Sequence, residues 1–216
     1  LSVLDNNKLA KMDLKNEKET NLALEKIRNS SFNITKISTK RVRRNPMPPF
    51  TTSTLQQEAS NKLGFSASRT MRIAQKLYEG INIGSETTGL ITYMRTDGVQ
   101  LSTQAIDELR SEITNLHGKE YIPQLPRIYK SKAANAQEAH EAIRPTAISR
   151  HPESMSSYLD AEQLKLYELI WRRTISSQMQ SAELDETAAD ISNENKTIVF
   201  RANGSQVHFP GFFIYR

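Results

Sequence analysis

The chain has 216 residues, a formal net charge of +5, and 37% hydrophobic and 25% charged residues. This composition is typical of a globular protein with one or two packed domains, and no apolar run reaches the roughly 18 residues of a membrane span. The absence of cysteine excludes disulfides, thiolate metal sites and cysteine nucleophiles. Because the chain starts at Leu1 without a methionine or a signal-peptide pattern, we expect it to be a piece of a longer protein.

The first 45 residues predict a small β-rich region with one helix. Asp5-Asn6-Asn7 has the composition of a hairpin turn, residues 15–28 have a partial apolar face and predict a helix, and residues 32–42 alternate as in a strand. The proline cluster at 46–49 continues neither element, since proline fixes φ and lacks an amide donor. We therefore place a domain boundary near Asn45.

The next 135 or so residues predict helices. Ser53 and Thr54, followed by Gln56 and Gln57, resemble a capping box for a helix that ends at Gly64. Further helices are predicted from Ser66 or Ser68 to 79, from Ser102 to 117, over 136–143 before Arg144-Pro145, and from Asp160 to 179. Residues 80–89 read as a polar loop, and 90–94 as a buried strand or extended segment.

Strand patterns return at the end of the chain. Residues 197–202 and 206–213 predict two strands joined by a turn at Asn203-Gly204. The order of elements predicts an α+β fold in which a mainly helical domain, residues 46–181, is inserted into a discontinuous β-rich domain, residues 1–45 and 182–216.

Charge is distributed unevenly. The stretch from Lys26 to Gln57 has no acidic residue, and its basic residues are Lys26, Arg28, Lys36, Lys40, Arg41, Arg43 and Arg44. Residues 183–194 are acidic instead. The two blocks have two interpretations: the basic block binds nucleic acid, or the blocks pair with each other in the fold. Arg69, Arg72 and Lys76 share one helix face, which is either solvated or a track for phosphates.

Tyr93 and Arg95 stand two positions apart in "GLITYMRTDG", residues 89–98. In an extended segment such residues face the same side. A phenol is a poor nucleophile at neutral pH and needs a nearby cation, and arginine binds phosphate through its planar fork. Taken by itself, the pair is also compatible with a structural tyrosine.

A second group lies in "NAQEAHEAIRPT", residues 135–146, where His140 stands between Glu138 and Glu141 and ahead of Arg144. A histidine there can hold a phosphate or exchange protons near neutral pH, although as a lone feature such a histidine is more often structural. The sequence contains no metal-ligand spacing, no glycine-rich phosphate loop and no acidic DxD cluster after an apolar strand. The local chemistry is therefore compatible with a phosphate site and indicates nothing finer.

Three stretches together resemble the strand-passing core of the bacterial DNA topoisomerase I family, the type IA enzymes. They are "PPFTTSTLQQEASNKLGFSASRTMRIAQKLYEG" (48–80), "GLITYMRTD" (89–97) and "QEAHEAIRPT" (137–146), and "LYELIWRRTISSQM" (166–179) extends the likeness. Methionine at 94 is more similar to topoisomerase I than to topoisomerase III, which usually has proline there. One departure is Gly98, where the family usually has serine.

The resemblance implies roles for several residues. Tyr93 would be the nucleophile that forms a 5′-phosphotyrosine, Arg95 would grip the scissile phosphate, and His140 would assist there. Further DNA contacts are expected from Arg69, Arg72 and Arg144, and supporting roles from Asp97 and Glu138. Our hypothesis for Asp97 is that it orients His140 or Arg95 by a hydrogen bond.

The resemblance also implies what this chain lacks. The family binds Mg²⁺ through an acidic cluster in a Toprim domain, which would lie outside these residues, so we expect this chain itself to bind no metal. Expected partners are single-stranded or negatively supercoiled DNA and the Toprim domain of the same protein, without a membrane, in the cytoplasm at the nucleoid. We expect the fragment alone to bind single-stranded DNA weakly and to relax nothing. Two alternatives stay open: a non-catalytic single-stranded-DNA-binding module and a strand transferase similar to tyrosine recombinases.

Overall fold

The computed structural model describes residues 1–84, 86–130 and 140–215. The chain divides into two compact units. The sheet unit comprises Leu1–Arg44 and Glu183–Phe209, and the helical unit comprises Asn45–Ala182 and Pro210–Arg216. Residues 210–216, which the sequence analysis counted with the β-rich domain, thus belong to the helical unit. In chain order the elements are β1 (Val3–Leu4), β2 (Asn7–Lys8), α1 (Glu17–Arg28), β3 (Asn33–Arg44), α2 (Thr52–Leu63), α3 (Ala67–Glu79), β4 (Ile81–Asn82), β5 (Thr87–Thr88), α4 (Thr103–His117), α5 (Pro152–Met155), α6 (Ala161–Ser177), β6 (Ala182–Ser192) and β7 (Ile198–Phe209).

The sheet unit is built on one five-stranded sheet with the order β2-β1-β7-β6-β3. The long strands β6 and β7 are antiparallel, and the chain reverses between Ser192 and Ile198. There the Asn193 side chain accepts a hydrogen bond from the Ile198 amide at 2.9 Å, and Lys196 adopts a positive φ of 58°. The turn predicted at Asn203-Gly204 is wrong: β7 runs through both residues, with Gly204 opposite Thr187. The pairing of β7 with β6 continues through Asn203-Gly204 and overrides the local preference of Asn-Gly for a turn.

The basic and acidic blocks meet within the sheet unit. Arg41 contacts Asp185 through two hydrogen bonds of 3.0 and 3.1 Å. Further pairs join β3 to β6 in the same way: Arg43 with Glu183, Arg44 with Glu186 and Lys40 with Glu186. Of the two interpretations of the basic block, the structure therefore shows mutual pairing for these residues.

The helical unit begins each long helix at a residue whose side chain caps it. Ser66, Ser102 and Asp160 cap α3, α4 and α6 as predicted, and Gly64 ends α2 in the left-handed conformation with a φ of 69°. The cap predicted for α2 at Ser53 or Thr54 is wrong, because the N-cap is Thr51, which forms the capping box with Thr54. A side-chain oxygen at the cap satisfies amide groups that have no partner within the helix.

The core of the helical unit is formed by α2, α3, α4 and α6. The predicted stripe of α6 is confirmed, since Tyr167, Trp171, Ile175 and Met179 are buried and Leu164 packs against them. The α+β class is likewise confirmed. No helix among the described residues is long and apolar enough to cross a membrane.

Residues 90–94 form no strand, which leaves the second of the two predicted alternatives, an extended segment, and Ile91 makes an isolated bridge to Pro145. Two other local predictions in this unit differ from the structure. The loop at 80–89 contains the short hairpin β4–β5. The helix predicted over 136–143 is wrong for 140–143, which are not helical because their backbone bonds to other segments; 136–139 lie outside the described residues.

Candidate active site

Tyr93 lies on a segment whose side chains alternate between solvent and core. Met94 and Thr96 are buried, whereas Tyr93, Arg95 and Asp97 are exposed. Tyr93 is 41% exposed, as are Tyr78 and Tyr158 of the same unit to a similar degree, at 40% and 42%. Tyr93 and Arg95 are therefore both exposed, and their common side stays a prediction because the segment is not a strand.

Two rings contact the ring of Tyr93. Tyr78 approaches it edge to face, with ring centroids 5.4 Å apart. The His140 ring lies 6.1 Å away in a tilted arrangement. The structure thus brings the "TYMRTD" and "HEAIRP" stretches together, 47 positions apart along the chain. The phenol of Tyr93 and the imidazole of His140 form one exposed polar patch.

The start of α2 is hydrogen-bonded to one side of the tyrosine segment, which we define as residues 90–98. The Thr52 hydroxyl lies 2.8 Å from the Met94 carbonyl oxygen and accepts a hydrogen bond of 2.8 Å from the Thr96 amide. The Thr52 amide in turn donates to the Thr96 carbonyl at 2.9 Å. These bonds hold the backbone on the C-terminal side of Tyr93.

Residues 140–146 fix the other edge. The Thr92 hydroxyl donates to the Ala142 carbonyl at 2.7 Å and accepts from the Arg144 amide at 3.0 Å. The Thr92 amide donates to the Arg144 carbonyl, and the Thr146 amide donates to the Leu90 carbonyl. The tyrosine is therefore an exposed side chain on a backbone that is hydrogen-bonded on both sides, and such support holds a functional group in one position.

Arg144 is engaged within its own segment. Its guanidinium donates two hydrogen bonds to one Glu141 oxygen, at 3.1 and 2.7 Å, and its side chain is only 15% exposed. Burial raises the pKa of Glu141, but hydrogen bonds from Ser102 and Arg144 outweigh that effect and leave the pKa below its ordinary value. The Ser102 amide donates to Glu141 at 2.6 Å, which ties this segment to the start of α4.

Gly98 lies directly against the backbone of His140. A Cβ atom placed on Gly98 would stand 2.0 Å from the His140 carbonyl oxygen, well inside van der Waals contact. The Gly98 amide donates to the Thr96 hydroxyl at 2.9 Å. Glycine at this position therefore permits a close approach of two backbones, one carrying Tyr93 and the other carrying His140.

Arg95 and Arg72 line the same open cleft. Its volume is about 440 Å³, and the remaining lining residues are Gln56, Ala67, Ser68, Met71 and Gln75. Arg72 comes from α3, whereas Arg95 follows Tyr93. The structure therefore joins two of the arginines predicted to bind phosphate, which are far apart in the sequence.

Comparison with known proteins covers the whole chain. The family described as DNA topoisomerase matches residues 2–216. The chain belongs to the DNA topoisomerase family. It is 53% identical over 217 aligned residues to "DNA topoisomerase 1" of Rickettsia bellii (strain RML369-C), covering 100% of this chain and 27% of that protein. It is 52% identical to the protein of the same name from Rickettsia felis (strain ATCC VR-1525 / URRWXCal2), with 100% and 28% coverage.

A solved structure supports the same membership of the topoisomerase family. The full-length topoisomerase I from Thermotoga maritima has a TM-score of 0.78 and 38% identity, covering 89% of this chain and 31% of that one. The resemblance to bacterial DNA topoisomerase I is confirmed by these matches. The chain spans about a quarter of the length of the curated relatives that it matches, 27% and 28% for the two above.

The remaining predicted site residues of this topoisomerase-family chain either show no contact with Tyr93 or lie outside the described residues. Arg69 forms two hydrogen bonds with Glu162 and stacks over the Phe65 ring at 4.8 Å. Asp97 is exposed and makes no hydrogen bond to His140 or Arg95 in the part of the chain that the structure describes, so its orienting role stays a prediction. Glu138 lies outside the described residues. Within those residues, no group of three or more histidines and carboxylates could hold a metal ion.

Sequence reasoning did not find the two threonines that support the site. Thr52 stands in "TTST", where several hydroxyls could cap the helix, and Thr92 precedes the tyrosine in an apolar stretch. Their role depends on partners 42 and 50 residues away, Met94 and Ala142. Only the presence of hydroxyl residues beside the motif could have drawn attention to them.

Proposed function

We propose that this chain is the tyrosine-bearing part of a type IA DNA topoisomerase, in which the Tyr93 hydroxyl attacks a phosphodiester of single-stranded DNA. The observation that carries the proposal is the exposed Tyr93 phenol beside His140, on a backbone that Thr52 and Thr92 hydrogen-bond from both sides. Membership of the DNA topoisomerase family supports it.

The chemistry exchanges one phosphodiester bond for another. The Tyr93 oxygen forms a bond to phosphorus while the bond to the 3′ oxygen breaks, so the downstream strand becomes a 5′-phosphotyrosine. The phenolic proton leaves Tyr93, and the departing oxygen gains a proton to become a 3′ hydroxyl. Religation reverses these steps after another strand has passed, and it restores the phenol without consuming ATP.

Arg95 and His140 act on the phosphate. The Arg95 guanidinium can hold two non-bridging oxygens at once, which stabilises the negative charge that develops during attack. The His140 imidazole lies on the same polar patch and can donate a hydrogen bond to the phosphate. The oxygen of Tyr93 is thereby directed to a phosphorus whose charge is already compensated.

Other parts of the complete protein would supply the rest of the reaction. Mg²⁺ would help to position the phosphate and the 3′ end, held by Toprim residues outside this chain. The sheet unit would form part of the arch around the passing strand. The protein would act on negatively supercoiled DNA in the cytoplasm at the nucleoid.

Two other functions predict different products. A strand transferase similar to tyrosine recombinases would link Tyr93 to a 3′ phosphate, and it would need several further arginines and histidines around the tyrosine. In the described part of the unit, Arg69 and Arg144 are instead paired with carboxylates. A non-catalytic single-stranded-DNA-binding module would form no covalent link.

End-labelled oligonucleotides distinguish these functions. The complete protein is incubated with single-stranded DNA labelled at either end, denatured and analysed for protein-linked label. We expect the 3′-labelled downstream piece to stay with the protein and the 5′-labelled piece to be released. Linkage of the opposite piece would indicate the recombinase chemistry, and no linkage would contradict catalysis. Relaxation of supercoiled plasmid by the purified 216-residue chain would contradict the expected inactivity of the fragment.

A further inference from the structure

Arg72 and Arg95 differ from the other arginines of the helical unit. Neither has a hydrogen bond or ion pair with any residue that the structure describes, and both line the cleft between α2, α3 and the tyrosine segment. The other arginines described in this unit all bind carboxylates or oxygen atoms of neighbouring residues: Arg69, Arg110, Arg127, Arg144, Arg150, Arg172 and Arg173.

The side chains around these two guanidinium groups suit a nucleotide. Gln56 carries a carboxamide, which donates and accepts hydrogen bonds as base edges require, and Ser68 adds a hydroxyl. The Gln75 side-chain nitrogen donates to Glu79 at 2.6 Å, so Gln75 offers the cleft its carboxamide oxygen as an acceptor. Met71 provides a polarisable apolar surface for a planar ring. No carboxylate is among the residues that line the cleft, although Glu79 accepts from Gln75 and the charge of Glu162 acts on Arg72 from outside the lining. Its volume of about 440 Å³ lies within the usual range for small-ligand sites.

We propose that this cleft binds the nucleotide next to the phosphodiester that Tyr93 attacks. Arg72 would hold the neighbouring phosphate, Arg95 would lie between that phosphate and the scissile one, and the two glutamines would contact the base. The proposal rests on the proposed function of Tyr93. It adds a binding subsite whose contribution is separate from bond cleavage, because Arg72 lies on α3 rather than on the tyrosine segment.

Lys76 provides a matched control for Arg72. It lies four positions on along α3, is also exposed and carries the same charge, but does not line the cleft. Arg72→Met and Lys76→Met therefore remove one charge each from the same helix. A difference in DNA affinity between the two variants is therefore due to contacts in the cleft rather than to the general electrostatic attraction of DNA.

The first experiment measures binding without cleavage. The complete protein carrying Tyr93→Phe is titrated with fluorescein-labelled oligothymidylate at several salt concentrations. We expect Arg72→Met to weaken binding roughly tenfold and to reduce the dependence of log K on log salt by about one phosphate contact. Lys76→Met is expected to change affinity by less than about twofold, and Arg72→Lys to recover much of the loss. Equal effects of Arg72→Met and Lys76→Met would overturn the proposal.

The second experiment locates the phosphate. A single neutral methylphosphonate replaces each phosphate in turn of an oligonucleotide that the complete protein cleaves at one mapped position. The effect of Arg72→Met should disappear when the phosphate adjacent to the cleavage point is neutral, and persist when a distant one is. If Arg72→Met weakened binding equally at every methylphosphonate position, the proposed subsite would be wrong. Cleavage by the protein with intact Tyr93 is measured alongside, so failure of the subsite and failure of the proposed function give different results.

Discussion

The backbone of Gly98 lies against the carbonyl oxygen of His140, so close that a Cβ atom on residue 98 would stand 2.0 Å from that oxygen. This contact connects the segment that carries the tyrosine to the segment that carries the histidine. Because both partners are backbone atoms, neither can move aside by changing a rotamer. A Cβ atom at residue 98 therefore requires one of the two segments to shift from the position it has in this chain.

Gly98→Ala is expected to separate the two segments. We expect a loss of about 1–3 kcal/mol in the free energy of unfolding, as for other overpacked sites, and weaker DNA cleavage by the complete protein. Urea unfolding and the yield of covalent adduct measure the two effects. Gly204→Ala is the control, since a Cβ there meets nothing within 4 Å. If the two variants were equally stable and equally active, the contact would not limit the site.

Thr52→Val is expected to loosen the tyrosine segment while keeping the volume of the side chain. It leaves the Met94 carbonyl and the Thr96 amide without the hydroxyl that both contact, at 2.8 Å each. Unsatisfied buried groups of this kind cost about 1–3 kcal/mol in unfolding free energy. Thr52→Ser retains the hydroxyl and should lose much less. Urea unfolding measures the stability of both variants. If Thr52→Ser were as unstable as Thr52→Val, the hydroxyl would not be the group through which Thr52 supports the segment.

The stability supplied by Glu141 is expected to depend on pH. Its pKa in the folded chain lies below the ordinary value of 4.5, because hydrogen bonds from Ser102 and Arg144 outweigh the opposing effect of burial. The carboxylate therefore stabilises the fold fully above pH 4.5, and this contribution is lost as the pH falls through the lower folded pKa. Glu141→Gln should be less stable than the parent chain near neutral pH and approach it in acid. A stability difference that did not narrow on acidification would contradict the assignment.

The helices of this protein could be predicted because their signals are local. Ser66, Ser102 and Asp160 cap helices a few residues away, and the apolar positions of α6 repeat at helical spacing. The turn at Asn203-Gly204 could not be predicted correctly, because pairing with β6 decides the conformation there. Backbone hydrogen bonds from a strand that is distant in sequence override the local turn propensity.

The candidate site could be predicted only in part. Spacing indicated that Tyr93 and Arg95 share a side, and the family resemblance indicated that His140 joins them. The shared cleft of Arg72 and Arg95 and the hydroxyl of Thr52 depend on contacts between segments that are distant in sequence. A pattern read along the chain contains no information about which of many arginines will be left without a carboxylate.

The Tyr93 hydroxyl itself is tested most directly by comparison with its neighbour Tyr78. The two rings pack 5.4 Å apart, and their exposures are nearly equal, 40% for Tyr78 and 41% for Tyr93. Tyr93→Phe and Tyr78→Phe each remove one hydroxyl from this pair in the complete protein. The measurement is the yield of protein covalently linked to single-stranded DNA, with the linked residue identified by peptide mass spectrometry. We predict that Tyr93→Phe abolishes the adduct and Tyr78→Phe retains it on Tyr93, whereas an adduct that persists in Tyr93→Phe would contradict the account.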